Sequence, residues 1–168
     1  MKTVATIEAR MTSSRLPGKV IMKVKKKMML VYLVERLKKV KEIEEIILCT
    51  TKNKTDDILV EQAKKLNIKF FRGSENNVLS RVVNALKKFK ADTIVQITAD
   101  CPIIDYKIIK QAISIYNKNK YDCVTNSFVR SFPDGMDVSV VNSKSLIKTN
   151  TLSKKKKHKE HVTLFIRE

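Results

Sequence analysis

Residues 9–19 read ARMTSSRLPGK and gather Arg10, Arg15 and Lys19 with Thr12, Ser13 and Ser14 inside eleven positions. Arginine and lysine only donate hydrogen bonds, and hydroxyls add short-range donors and acceptors. Pro17-Gly18 supplies a turn that lets backbone approach a ligand closely. A polyphosphate matches that set: forked guanidinium groups, a point-charge ammonium and backbone N–H. The spacing is neither GxxxxGK[ST] nor GxGxxG, so neither standard glycine-rich phosphate loop applies. Read on spacing alone, an ordinary basic surface loop is the competing reading.

A second stretch, ITADCPIID (97–105), ends an apolar run on one acid, Asp100. A carboxylate there suits a hard cation such as Mg²⁺, which takes one or two carboxylates and completes its shell with substrate phosphates. Asp105 fits better as the N-cap of the following helix. A third stretch, SFPDGMDVSVV (131–141), carries an Asp134-Gly135 turn signal followed by Asp137, which either faces the substrate or a second metal, or is solvated. The fourth, HKEHVTLFIRE (158–168), has HxxH rather than HExxH, so a zinc-protease site is not supported. Glu160 and His161 are read there as opening a helix near the substrate. No GxSxG occurs, and no base lies near the cysteines in sequence, so covalent catalysis finds no nucleophile.

These residues need a scaffold, and the hydrophobic pattern describes one. Apolar, β-branched runs at 3–9, 45–51, 69–73, 92–99 and 121–127 read as strands. Between them, 30–40, 56–67, 77–89 and 106–116 repeat apolar residues at helical spacing, as with Val78, Leu79, Val82, Val83 and Leu86. Alternating strands and helices imply βαβ units and a mostly parallel sheet with helices on both faces, an α/β doubly wound fold. In such sheets ligands sit beyond the carboxyl ends of the strands. The stretches 9–19 and 97–105 both follow strands, so they are expected to be neighbours.

Composition narrows the function classes. Hydrophobic residues make up 43% of the 168, enough for a packed core, and no eighteen-residue apolar run predicts a membrane span. The first residues read as a strand rather than an export signal, which makes the cytoplasm the default. Cys49, Cys101 and Cys123 are odd in number and widely spaced, and read as reduced thiols. The net charge is +18, yet only seven of the 35 basic residues are arginine and the lysines spread over helix faces. Base reading favours Arg and stacking aromatics, and aromatics are only 6% of the chain. The charge therefore reads mainly as solvated surface, including KKKKHK (154–159) as a mobile loop or an exposed helix face. A basic nucleic-acid-binding module stands as a weaker alternative.

Five motifs occur in order: ARMTSSRLPGK, GSENNVLSRVVNA, ITADCPIID, FPDGMDVSVV and EHVT. Together they make the chain resemble the cytidylyltransferase family of CMP-Kdo and CMP-sialic acid synthetases, and within it the SpsF-type spore coat polysaccharide biosynthesis branch. The resemblance implies a Rossmann-like nucleotidyltransferase fold over 1–168, shorter at its C-terminal end than its relatives. It implies a CTP-dependent enzyme that activates a sugar or sugar acid as its CMP derivative for surface polysaccharide, with pyrophosphate leaving. Ala9, Arg10, Ser14, Arg15, Lys19, Gly73 and Arg81 then bind nucleotide, with Arg15, Lys19 and Asp100 in catalysis. Asp100 holds Mg²⁺, and Asp137, Glu160 and His161 face the sugar. The partners implied are CTP and a sugar, in a homodimer, without membrane or specific nucleic acid. The chain departs from the branch at Asn76, Asn77 and Ser80, where acids are common, and at Ser139, where Glu is common. A nucleotide-sugar glycosyltransferase or an inactive relative is the alternative, although its DxD-like metal motif is missing from "ADC".

Overall fold

The computed structural model describes residues 1–13, 15–129 and 131–168. Six strands form one sheet: β1 (Thr3–Glu8), β4 (Glu45–Thr51), β5 (Lys69–Gly73), β6 (Thr93–Thr98), β7 (Cys123–Thr125) and β8 (Ser139–Asn142). Their order is β5-β4-β1-β6-β8-β7. Strands β5, β4, β1 and β6 run parallel, and β8 pairs antiparallel with both β6 and β7. The chain steps outward from β1 to β4 and β5, then returns to the other side of β1 for β6. That reversal opens a crevice at the carboxyl ends of β1 and β6, where open α/β sheets bind ligands.

Helices cover both faces. On one face, α1 (Met29–Leu37), α2 (Asp57–Lys65) and α4 (Tyr106–Lys118) pack Leu30, Leu33, Leu59 and Ile109 against Ala5, Ile7 and Val95. On the other, α3 (Val78–Phe89) and α5 (Ser143–Leu152) pack Leu79, Val82, Val83, Leu86 and Leu146 against Val4, Ile47 and Ile94. Each fully buried Leu or Ile contributes roughly 1.5–3 kcal/mol. Asn77 caps α3 by accepting from Ser80 N at 2.9 Å, and Asp105 caps α4 by accepting from Lys107 N at 2.8 Å, as its position suggested.

Several elements differ from the sequence reading, which did not contain α5. A hairpin, β2 (Lys23–Val24) and β3 (Lys27–Met28), turns through Lys25 and Lys26, both in left-handed backbone. Residues 139–142, absent from the strands read in the sequence, are the inner antiparallel strand β8. The segment 156–167 forms two short helices, α6 (Lys156–Glu160) and α7 (Leu164–Arg167). Glu160 therefore ends a helix and His161 caps it, where the spacing had suggested a helix start. Among the described residues no helix is long and apolar enough to cross a membrane.

Candidate functional site

A cavity of about 840 Å³ opens at the strand ends. Its floor comes from Glu8, Gln96, Thr98 and Ser139, which end or line β1, β6 and β8. Its walls come from the loop after β1 (Arg10, Ser13, Lys19), the start of α3 (Asn76, Arg81) and the α6–α7 segment (His161, Arg167).

The basic loop is held from both ends. Gly18 N donates to Met11 O at 2.9 Å, which ties Gly18 back to Met11. Gly18 adopts φ 71°, a left-handed conformation that favours glycine. At the other end, Met11 N donates to Asp56 Oδ1 at 2.8 Å. Asp56 is fully buried and also accepts from Thr50 Oγ1, Thr51 N and Thr51 Oγ1. Burial pushes its carboxyl up, and these four donors more than reverse that, leaving it below the ordinary value.

The loop and the end of β6 meet as expected. Lys19 Nζ lies 2.6 Å from Asp100 Oδ2, and Thr98 Oγ1 donates to Asp100 Oδ1 at 2.5 Å. Desolvation raises the Asp100 carboxyl, but the bonds from Lys19 and Thr98 and the Lys19 charge win, so it stays ionised. Glu75 gathers the far side of the loop: it accepts from Thr12 Oγ1 at 2.6 Å and Asn53 Nδ2 at 2.7 Å, with Arg10 Nη1 at 3.8 Å.

Of the residues singled out in the sequence, Ala9, Arg10, Lys19, Arg81, Asp100, Asp137, Glu160 and His161 all line this one cavity. Ser14 lies outside the described residues. Arg15 is exposed on the loop and outside the cavity lining. Gly73 is also outside the lining, and its role is indirect. A Cβ there would meet Arg81 Cγ at 2.8 Å, so the missing side chain makes room for the Arg81 stem. Arg81 is 2% exposed and donates Nη1 to Ser74 O at 2.7 Å. His158 turns away from the cavity, 2.8 Å from Glu168 Oε2 and edge-on to Phe165.

Sequence reasoning missed Glu8, Glu75, Gln96 and Arg167. Glu8 carried a signal: an acid inside the apolar run TVATIEA has to be paired, protonated or functional. Gln96 in DTIVQITA carried a weaker version of the same signal.

A cavity built at the reversal of a mostly parallel sheet, with a cationic loop on one strand end and an acid on the next, is the arrangement of a nucleotidyltransferase. The chain matches the Cytidylyltransferase family over residues 4–168, and it belongs to that family. It is similar to the spore coat polysaccharide biosynthesis protein SpsF of Bacillus subtilis, 32% identical over 166 residues, covering 96% of this chain and 68% of that protein. The solved structure of a cytidylyltransferase from Leptospira borgpetersenii superposes with a TM-score of 0.95 at 35% identity, covering 99% of this chain and 71% of that one. A CMP:2-keto-3-deoxy-manno-octonic acid synthetase solved with CTP shares the fold, with a TM-score of 0.74 at 18% identity over 99% of this chain and 85% of that one.

Proposed function

We propose that this chain transfers the cytidylyl group of CTP to a hydroxyl of a sugar or sugar acid, releasing pyrophosphate, in the making of a surface polysaccharide. The observation that carries the reading is the convergence of Arg10, Lys19 and Asp100 on one cavity at the ends of β1 and β6. Its location within a cytidylyltransferase chain supports CTP as the nucleotide. In the transfer, the sugar oxygen forms a bond to the α-phosphorus, the bond from that phosphorus to the bridging oxygen breaks so that pyrophosphate leaves, and the hydroxyl proton passes to solvent. Such a step needs positioning and charge stabilisation more than a covalent nucleophile. Arg10 and Lys19 offset phosphate charge, with Arg15 next to them on the loop. Asp137, Glu160 and His161, across the cavity, form the sugar end.

Asp100 fits Mg²⁺ as a single hard-oxygen ligand. Among the described residues no three His, Cys, Asp or Glu converge on a metal site, and substrate phosphate oxygens and water would supply the ligands that Asp100 does not. The cation would offset charge on the phosphates; Asp100 would hold it there, and Lys19 would be freed to turn to the substrate.

A thermal-shift series with CTP, UTP, ATP and GTP, each with Mg²⁺, tests the reading. Ligand at about 100 times its dissociation constant adds about 2.7 kcal/mol to stability. CTP should shift the melting temperature most. Equal shifts with all four, or none, would overturn the cytidine assignment.

A further inference from the structure

Between Glu8 and Glu35 the chain carries seven basic residues and no acid. Much of that charge gathers on the β2–β3 hairpin, where Met22, Lys23, Val24, Lys25 and Lys26 are exposed in succession. Apolar side chains are exposed with it: Leu16, Met22 and Val24 are open to water at 48%, 48% and 55%. Backbone bonds hold this stretch together. Lys19 N donates to Leu16 O at 3.4 Å, Met22 N to Lys19 O at 3.1 Å and Met29 N to Met22 O at 3.0 Å.

The hairpin is anchored on α1. Tyr32 Oη donates to Val24 O at 3.0 Å, and Lys27 Nζ lies 2.9 Å from Glu35 Oε1 and 5.0 Å from the centre of the Tyr32 ring. Lys27 is thereby engaged with α1, and Lys19 with Asp100. Among the described residues, Arg15, Lys23, Lys25 and Lys26 have no acidic partner. Lys25 and Lys26 hold φ 47° and 66°, a left-handed turn that Asn and Gly fill at lower cost. Turn chemistry alone would not place two lysines there.

We infer that the β2–β3 hairpin docks this chain on an anionic lipid surface. Arg15, Lys23, Lys25 and Lys26 lie against the headgroups, and Leu16, Met22 and Val24 enter the boundary beneath them. A basic segment is drawn to the negative potential of such a surface, and apolar side chains add the second signal that stable attachment needs. A nucleic-acid surface would instead combine arginines with stacking aromatics. The one aromatic between Glu8 and Glu35 is Tyr32, half-buried beside Lys27. The contact is peripheral, since no described helix is long and apolar enough to cross a bilayer. It replaces the expectation of no membrane contact that the resemblance carried, and it does not depend on the CTP reading. Val20, two residues before Met22, lines the cavity, so docking holds the cavity close to the surface.

The test is co-sedimentation of the 168-residue chain with phosphatidylcholine vesicles, with and without about a third phosphatidylglycerol, at about 0.1 M salt. The wild type should bind the anionic vesicles and not the neutral ones. Lys23→Gln/Lys25→Asn/Lys26→Asn should weaken that binding by at least about thirtyfold, since each lysine near such a surface contributes about fivefold. Asn suits the left-handed turn, and melting curves confirm folding. Met22→Gln/Val24→Thr, which keeps every charge, should weaken it by at least about fivefold. Lys87→Gln/Lys144→Gln/Lys148→Gln removes the same charge from exposed positions on α3 and α5, on the opposite face of the sheet, and should weaken it by less than about threefold. No binding to anionic vesicles overturns the inference. Equal losses from the two lysine variants overturn it too, because diffuse net charge would then explain the binding. Full binding by Met22→Gln/Val24→Thr also overturns it, and loss of DNA-duplex binding by the hairpin lysine variant would then point to nucleic acid.

Discussion

Lys19 Nζ and Asp100 Oδ2 lie 2.6 Å apart, joining the loop after β1 to the end of β6 across the crevice between the two strands. Eighty-one residues separate them in the chain. The pair places a cation and an anion at the point where phosphates and a divalent cation are proposed to meet. It is partly exposed, with side-chain exposures of 20% and 37%, so its worth to the fold is small.

Asp100→Asn is therefore expected to change unfolding stability by less than about 1 kcal/mol, since asparagine keeps an acceptor of the same shape. The same variant should lose most of the Mg²⁺-dependent gain in CTP affinity. Calorimetry of CTP with and without Mg²⁺ checks both; an undiminished Mg²⁺ effect would make Asp100 structural. Lys19→Ala should weaken CTP by about 1.5–3 kcal/mol, the scale of a hydrogen bond to a charged group. Arg15→Ala, on the exposed part of the loop, should weaken it less.

Gly73→Ala tests how Arg81 is seated. The added Cβ would stand 2.8 Å from Arg81 Cγ and 3.1 Å from Phe71 Cε1. Overpacking of this kind costs about 1–3 kcal/mol. Both melting temperature and CTP affinity should fall, because the cheapest relief is to move the Arg81 side chain. A fall in stability alone, with CTP affinity unchanged, would remove Arg81 from the nucleotide site.

Asp56 sets a pH limit on the same loop. Its folded carboxyl lies below the ordinary value, so its stabilising effect is present above about pH 4 and is lost as pH falls through the folded value. Asp56→Asn replaces an all-acceptor group with one that brings two donors to four existing donors. It should cost about 1–3 kcal/mol at neutral pH and flatten the acid limb of the stability curve. Denaturant unfolding from about pH 7 downward reads this, and a variant with the wild-type acid limb would contradict it.

Glu8 acts in the opposite sense. Its carboxyl is raised to about 7, so the folded chain binds more protons than the unfolded one, and stability declines as pH rises from about 4 through the folded value. Glu8→Gln removes that decline. At about pH 8 the variant should be more stable than the wild type by on the order of 2 kcal/mol, allowing for solvent screening. Equal stabilities across the range would mean that Glu8 is not raised.

The strands and helices that carry these residues were legible because each is long and periodic. Val78–Phe89 shows its buried face directly in the spacing of Leu79, Val82, Val83 and Leu86. The meeting of the two loops followed from the rule that strand carboxyl ends share one edge. The β2–β3 hairpin was not legible, since its turn is Lys25-Lys26 in left-handed backbone rather than the Asn-Gly that marks such turns. Strand β8 was hidden because four residues after a turn give too short a pattern to separate from a loop. Arg81 was visible as part of a motif, but its seat over Gly73 is a contact between strand and helix that no local pattern encodes. Glu75 and Gln96 join the site through hydrogen bonds to residues 63 and 88 positions away, beyond the reach of spacing arguments.

The claim at the centre is that CTP with Mg²⁺ binds at the ends of β1 and β6. The most direct measurement is a CTP–Mg²⁺ titration followed by backbone amide NMR on the 168-residue chain. The largest shifts should fall in residues 9–19, at Thr98–Asp100 and around Arg81, with UTP producing weaker changes at the same amides. Shifts confined to other surfaces, or none in residues 9–19, would contradict the account.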